Sequence, residues 1–302
     1  MDGWILSKIK EEEIKDASYE LLRFLEVAKK RNINIRIFKP DQFDLIVTRE
    51  GKKSIVLENE STQLPQFLLP RQGADTPYFS LAIIRHLERL GIPTFNSSSS
   101  IETVKDKLYT QQILAASNLP VPKTMLARSP LNIDLIEKMI GFPAVVKTIS
   151  GSQGCGVFLC NSKGHLEDLM QLIDTAKTTT NFIIQEFIQN SHGRDLRVFV
   201  VGGRIIACME RYSRDGNFKA NFSRGGEVKA YPLNEEIEWL ATESTRLLDL
   251  DIAGVDLLFD GEHFKVCEVN SSPGFKGLEK CCPVSIPDII FDFIQVRLGL
   301  FI

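Results

Sequence analysis

Two acids interrupt apolar sequence near the end of the chain. Asp256 lies within Ile252-Ala253-Gly254-Val255-Asp256-Leu257-Leu258, and Glu268 within Val266-Cys267-Glu268-Val269-Asn270. Both stretches read as strands around the turn residues Asp260-Gly261-Glu262. If those three residues form the turn, Phe259 faces His263, Asp256 faces Val266 and Gly254 faces Glu268. Asp256 and Glu268 then share one sheet face, offset by two positions, and Asn270 follows on the same face. Three oxygen donors with no histidine or cysteine suit a hard divalent cation, magnesium or manganese. The plainer alternative is a pair of solvent-facing acids on an open sheet.

A second set of residues could hold phosphate. In Thr148-Ile149-Ser150-Gly151-Ser152-Gln153-Gly154-Cys155-Gly156-Val157 the glycines let the backbone pass close to a ligand, and successive N–H groups can form an anion nest. No Gly-Lys-Ser/Thr ends the loop, and its spacing is not Gly-x-Gly-x-x-Gly, so it is neither a Walker nor a Rossmann loop. A plain glycine-rich hairpin is the alternative. Lys147 precedes it inside the apolar strand Ala144-Val145-Val146-Lys147. An ammonium there needs an anionic partner, and beside such a loop a phosphate is favoured over an internal salt bridge. Arg194, Arg197, Arg211, Arg214, Lys219 and Arg224 add a basic cluster that suits anionic substrates and a charged intermediate.

The elements that hold these residues follow from periodicity. Up to about residue 96 strand and helix alternate: strands over Gly3–Leu6, Ile33–Ile37 and Phe43–Thr48, and helices over Asp16–Lys30 and Pro77–Leu90. That alternation predicts an α/β lobe with a partly parallel sheet. Helices are expected over Ser100–Ser117, Ile133–Met139, Glu235–Leu248 and Ile286–Leu298, the last burying Ile286, Ile290 and Phe293. Strands are expected over Ala144–Thr148, Phe182–Gln185, Leu196–Val201, Arg204–Arg211, Ile252–Phe259 and His263–Val269. Val201-Gly202-Gly203-Arg204 reads as a tight hairpin turn. The expected organisation is 1–96, an N-terminal α/β domain; 97–180, a central subdomain with the glycine-rich loop; and 181–302, a C-terminal α+β subdomain with the metal site.

Composition narrows the classes. The 302 residues, 43% hydrophobic, can build a sizeable core in two or three lobes. Lys and Arg number 36 against 39 Asp and Glu, a net charge of −3 that argues against a general nucleic-acid binder. No apolar run approaches a membrane span, and the first residues lack the pattern of a secretory signal. Six cysteines without a Cys-x-x-Cys pair, and four histidines without metal spacing, imply a reducing cytoplasmic setting and no structural zinc. Cys281 and Cys282 read as ordinary buried thiols.

Taken in order, these motifs resemble the ATP-grasp superfamily and, within it, the RimK-like glutamate ligases. The resemblance runs from Pro70-Arg71 to the final helix. It is carried by Asp106-Lys107-Leu108, by Val146-Lys147 with Gly151-Ser152-Gln153-Gly154-Cys155-Gly156, and by Gln185-Glu186-Phe187-Ile188. Gly193-Arg194-Asp195-Leu196-Arg197, Gly216-Asn217-Phe218-Lys219-Ala220-Asn221, Arg224-Gly225-Gly226 and Glu268-Val269-Asn270-Ser271-Ser272-Pro273-Gly274 complete it. Ser191 to Gly203 is also similar to the N-acetylaspartylglutamate and citrylglutamate synthases.

The resemblance implies an ATP-grasp fold behind a pre-ATP-grasp lobe. It also implies an ATP-dependent ligase that activates a carboxylate as an acyl phosphate and joins it to L-glutamate. It places Lys107 and Lys147 at the ATP phosphates or the adenine edge, and Gly151, Ser152, Gln153 and Gly154 over the phosphates. Glu186 and Phe187 fall at the adenine, Asp195 near the ribose, and Lys219, Ala220 and Asn221 on the phosphate side. Asp256, Glu268 and Asn270 would hold one or two Mg²⁺ or Mn²⁺ ions, and Arg211 would stabilise the developing charge. The acceptor is a protein C-terminus, a peptide or a small acid; nucleic acid and membrane are not expected partners, and a homo-oligomer is. A ligase for another amino acid or a cofactor tail, or a non-catalytic ATP-binding scaffold, are the other readings.

Overall fold

In the computed structural model, which describes residues 1–15, 18–49, 54–73, 76–126, 131–149, 156–175, 181–214, 216–218, 220 and 225–300, the chain starts with a parallel sheet. Its first part runs β1 (Asp2–Leu6), α1 (Tyr19–Lys30), β2 (Asn34–Phe38), β3 (Phe43–Leu45), β4 (Ile55–Leu57), β5 (Glu60–Ser61), β6 (Phe67–Pro70) and α2 (Tyr78–Arg89). The order is β2-β1-β6, with β1 parallel to both neighbours. Ile5, Ile35 and Phe67 pack with Phe24 of α1, whereas Trp4, Leu6 and Leu68 pack with Leu81 and Ile84 of α2. Both faces of β1 and β6 are covered and these two strands are almost wholly apolar, whereas β2 at the edge alternates and exposes Asn34 and Arg36. β3, β4 and β5 form a small antiparallel sheet beside them.

Next come α3 (Ser98–Lys105), α4 (Lys107–Ala116), β7 (Thr124–Leu126), α5 (Ile133–Met139), β8 (Ala144–Thr148), β9 (Val157–Cys160), α6 (Lys163–Thr175) and β10 (Phe182–Glu186). The strands make an antiparallel sheet, β7-β10-β8-β9, closed by Ile136 of α5 and Leu166 of α6 against Val146 and Ile184.

The remainder runs β11 (Arg194–Val201), β12 (Arg204–Tyr212), β13 (Glu227–Ala230), α7 (Glu235–Leu247), β14 (Ile252–Asp260), β15 (His263–Asn270), α8 (Lys276–Cys281) and α9 (Ile286–Arg297). Its antiparallel sheet has the order β13-β12-β11-β14-β15. Leu196, Val198, Val200, Val255 and Leu257 point to a core with Ile237 and Leu240 of α7. On the opposite face Phe199, Val201, Ala207, Met209 and Ile252 join a core that also holds Phe24 of α1, Ile5, Phe275 and Phe291. The N-terminal lobe and this sheet thus share one apolar core. Buried Asn96 reinforces the join: its amide donates to the carbonyls of Ile252 (2.7 Å) and Ser271 (2.8 Å) and its oxygen accepts from Ile252 N–H (2.8 Å). Among the described residues no helix is long and apolar enough to cross a membrane.

Four details differ from the sequence reading. The helix expected over 100–117 is two, because Asp106 leaves the helical region (φ −87, ψ 103) and its carboxylate accepts from Leu108 N–H at 2.9 Å and Tyr109 N–H at 3.0 Å. Asp106 is therefore an N-cap that starts α4 at Lys107. Asp106→Ala is expected to cost about 1 kcal/mol, read as a fall of about 2–3 °C in the thermal midpoint. The strand expected over 43–48 stops at Leu45, since its pairing partner Ile55–Leu57 is equally short. The last helix buries Phe291 and Ile294 with Ile286 and Ile290, while Phe293 is only half-buried, its ring close against Gly202. Finally, the turn between the two acid-bearing strands has two residues rather than three. Asp260 pairs with His263, and a bulge opposite Asp256/Leu257 absorbs Cys267. Between β11 and β12 the expected hairpin holds: Gly202 and Gly203 have φ of +57 and +73, the left-handed pair such a two-residue turn requires.

Candidate active site

The bulge brings the acids together. With Cys267 taken out of register, Asp256 and Glu268 are direct cross-strand partners and Gly254 faces Asn270. The register also sets Arg197 opposite Asp256 and Asp195 opposite Arg211. Period-two alternation puts all of these on the face of the sheet that carries the shared apolar core, so that face is apolar at one end and charged at the other.

The charged end is tightly paired. Arg197 grips Asp256 with a two-pronged contact, Nε to Oδ1 at 2.7 Å and Nη2 to Oδ2 at 2.6 Å. Arg211 grips Asp195 in the same way, at 2.6 and 2.8 Å, and reaches Asp256 at 3.0 Å. Arg211 and Asp256 are each only 5% exposed, which excludes the open, solvent-facing alternative for Asp256. Burial alone would raise the Asp256 carboxyl, but the guanidinium groups of Arg197 and Arg211 outweigh it and hold that carboxyl below its ordinary range. Burial would likewise lower Arg211, and the carboxylates of Asp195 and Asp256 more than offset it, leaving the cation fixed.

This face closes one side of a cavity of about 860 Å³, toward the upper end of the usual range for small-molecule sites and roomy enough for more than one reactant. The opposite wall comes from the central sheet. Lys147 of β8 donates from Nζ to Gln185 Oε1 at 2.7 Å and lies 3.5 Å from Cys267 Sγ, so its resolved partners are neutral. Gln185, 2% exposed, is itself held by a bond from its amide to Thr124 Oγ1 (2.9 Å). Lys107, the first residue of α4, donates to the Ile149 carbonyl at 3.4 Å. Glu186 ends β10 and ties it to β15, accepting from Lys265 Nζ at 2.8 Å and Lys123 N–H at 2.9 Å. Phe187 follows it into the cavity wall.

Of the residues expected at the site, Lys107, Lys147, Glu186, Phe187, Asp195, Arg211, Ala220, Asp256, Glu268 and Asn270 all line this one cavity. Gly151, Ser152, Gln153, Gly154, Lys219 and Asn221, with Cys155 and Arg224, lie outside the described residues. The basic cluster divides: Arg197 and Arg211 are paired at the charged face, whereas exposed Arg214 pairs with Glu227. Arg71, Gln185 and Cys267 also line the cavity but have no role in the sequence reading. Gln185 could have been found as a second polar residue on an otherwise apolar strand. Cys267 could not, because only the bulge turns it inward; burial pushes its thiol up, the Lys147 ammonium opposing.

The donor set fits a hard divalent cation. Glu268 and Asn270 line the cavity beside Asp256, and two carboxylates with an amide are oxygen donors throughout. Three guanidinium N–H bonds and a long contact from Asn270 Nδ2 (3.5 Å) meet Asp256, and a bound cation would displace the last of these. Among the described residues no group of three His, Cys, Asp or Glu side chains forms an alternative metal site.

Comparison with known proteins bears on the family and the fold. A profile described as the RimK-like ATP-grasp domain matches residues 104–294, and one described as the RimK PreATP-grasp domain matches residues 5–101. A protein of Shewanella denitrificans named probable alpha-L-glutamate ligase 1 is 34% identical over 280 residues, covering 92% of this chain and 93% of that protein. A probable alpha-L-glutamate ligase of Legionella pneumophila is 36% identical over 238 residues, 78% of each chain. In fold, a RimK domain ATP-grasp protein from Sphaerobacter thermophilus superposes with a TM-score of 0.75 at 18% identity, over 97% of this chain and 99% of that one.

Proposed function

The chain belongs to the RimK-like ATP-grasp family of ligases, and on that premise we propose that it joins the amine of L-glutamate to a carboxylate of an acidic acceptor, using ATP. The observation that carries this reading is the meeting, in one cavity, of Lys107 and Lys147 with the paired face of Arg211, Asp256 and Glu268. Cations from two elements can hold a polyphosphate, and the face opposite them holds a fixed cation beside oxygen donors.

In this reading the γ-phosphoryl group passes to an acceptor carboxylate oxygen and ADP leaves. The amine nitrogen then attacks the acyl carbon, phosphate departs, and the amine proton is released to solvent. Lys107, Lys147 and the loop of Gly151, Ser152, Gln153 and Gly154 bind the phosphates; Glu186 and Phe187 border the adenine and Asp195 the ribose side. Lys219, Ala220 and Asn221 close the phosphate side. Arg211, held by two carboxylates, needs no reorganisation to meet the charge that develops on the transferring group. Asp256, Glu268 and Asn270 would hold Mg²⁺ or Mn²⁺, which when bound neutralises phosphate charge. No side chain of the chain needs to become covalently attached.

The test is ADP formation from ATP and Mg²⁺ with L-glutamate and a pool of carboxylic acids and acidic peptides, the products read by mass. Acceptor-dependent ADP with a gain of one glutamate residue on one acid is the expected result. A gain only with another amino acid would replace glutamate. ATP binding without turnover on any pool would favour the scaffold reading.

A further inference from the structure

The N-terminal lobe offers the cavity something the ATP chemistry does not use. β1 and β6 are adjacent parallel strands, and the segments leaving their carboxyl ends, Ser7-Lys8-Ile9 and Arg71-Gln72-Gly73, both line the cavity. The carboxyl ends of parallel strands are where open α/β sheets bind ligands. The two segments are tied together, buried Gln72 donating from Nε2 to the Ser7 carbonyl at 2.9 Å.

Arg71 is the charged group at this end. One guanidinium N–H donates to the Pro273 carbonyl at 2.8 Å, and the group lies 5.7 and 5.8 Å from the ring centres of Phe24 and Phe275. A guanidinium has five N–H donors, and among the described residues no carboxylate comes within ion-pair distance of this one. Glu20, whose charge opposes the effect of burial on Arg71, has an oxygen already accepting from the backbone N–H groups of Phe275 (3.1 Å) and Lys276 (3.4 Å). Burial pushes Arg71 down to about 10, Glu20 opposing, so the site disfavours this charge yet provides no paired anion for it. Every other arginine facing the cavity from the C-terminal sheet has a carboxylate partner.

We propose that Arg71 anchors a carboxylate of a bound reactant other than the one being activated. This rests on the ligase reading and extends it. A planar fork against a carboxylate gives two parallel bonds and so fixes orientation as well as charge. The carboxylate has two chemical sources, the acid that is activated and the amino acid that attacks it.

Equilibrium binding separates them without requiring turnover. With ADP and Mg²⁺ present, wild type, Arg71→Gln and Arg71→Lys are titrated with N-acetyl-L-glutamate, whose blocked amine restricts it to the acid's role, and with L-glutamate. Arg71→Gln removes the charge but keeps a polar amide, and the lysine variant retains the charge without the fork. The expected result is at least a tenfold loss of affinity for one probe in Arg71→Gln, a loss in Arg71→Lys as well, and ADP affinity within twofold of wild type. Loss with N-acetyl-L-glutamate assigns the anchor to the acid; loss with L-glutamate alone assigns it to the amino acid. Affinities within twofold of wild type for both probes, or no binding of either to wild type, overturn the proposal and leave Arg71 as a strap between lobes. Should the glutamine variant not fold, the lysine variant decides by the same criterion. Failure of the ligase reading looks different: wild type would bind the probes but form no ADP from ATP with any acid.

Discussion

Arg211→Lys is expected to lower kcat by about 10²- to 10³-fold, the scale seen when one preorganised charge-stabilising group is removed. Arg211 meets Asp195 through two nitrogens and Asp256 through one of the same two. A lysine ammonium is a point charge and cannot span both carboxylates, so the cation loses its fixed position while total charge is kept. Because the interaction is assigned to the transition state, kcat and kcat/KM should fall together, with KM for ATP little changed. Arg211→Met is a separate experiment. It takes from buried Asp195 the cation that grips it, while Asp256 keeps Arg197, a cost of about 3–5 kcal/mol that should appear as a large drop in thermal midpoint. Near-wild-type turnover in the lysine variant would remove Arg211 from the chemistry.

The second large effect separates two acids that look alike in sequence. Glu268→Gln is expected to reduce turnover at least about 10²-fold, consistent with the several kcal/mol that a metal ion contributes to charge stabilisation. Glu268 is half-buried and forms no ion pair among the described residues, so the folded state should keep its stability to within about 0.5 kcal/mol. Raised Mg²⁺ should restore part of the lost rate. Asp256→Asn should lose turnover and stability together, because the amide cannot balance the guanidinium groups of Arg197 and Arg211. The comparison is made by ADP release and thermal unfolding of the same preparations. Wild-type turnover in Glu268→Gln would sink the metal assignment, and unchanged stability in Asp256→Asn would contradict the ion-pair account.

These variants sit at one end of a sheet face whose other end is the core shared with the N-terminal lobe. Tyr19 and Arg23 of α1 bond Glu279 of α8 at 2.7 and 2.8 Å, so the lobe that carries Arg71 is braced against the sheet that carries Arg211. The Arg71 side of the cavity and the charged sheet face therefore hold a fixed relation, set by packing rather than by chain connectivity.

Much of this was determined by the sequence alone. Elements with strong periodicity and clear breakers read out almost to the residue: Ile133–Met139 and Ala144–Thr148 coincide with the expected spans, and Gly202-Gly203 marks its hairpin. The candidate site was legible for the same reason, since a lysine at 147 or an acid at 256 and 268 conflicts with its apolar strand, and all three line the one cavity. Short strands buried on both faces, such as Phe67–Pro70, were not legible, because an uninterrupted apolar run of that length has no period of its own. Only the tertiary structure decided the rest. The bulge at Cys267 is a register choice made by the sheet, and it moves Asp256 from a diagonal to a direct partner of Glu268. The carboxylates that hold Arg211, and the carbonyl and rings that surround Arg71, come from segments distant in sequence, brought together by packing and pairing that no local pattern encodes.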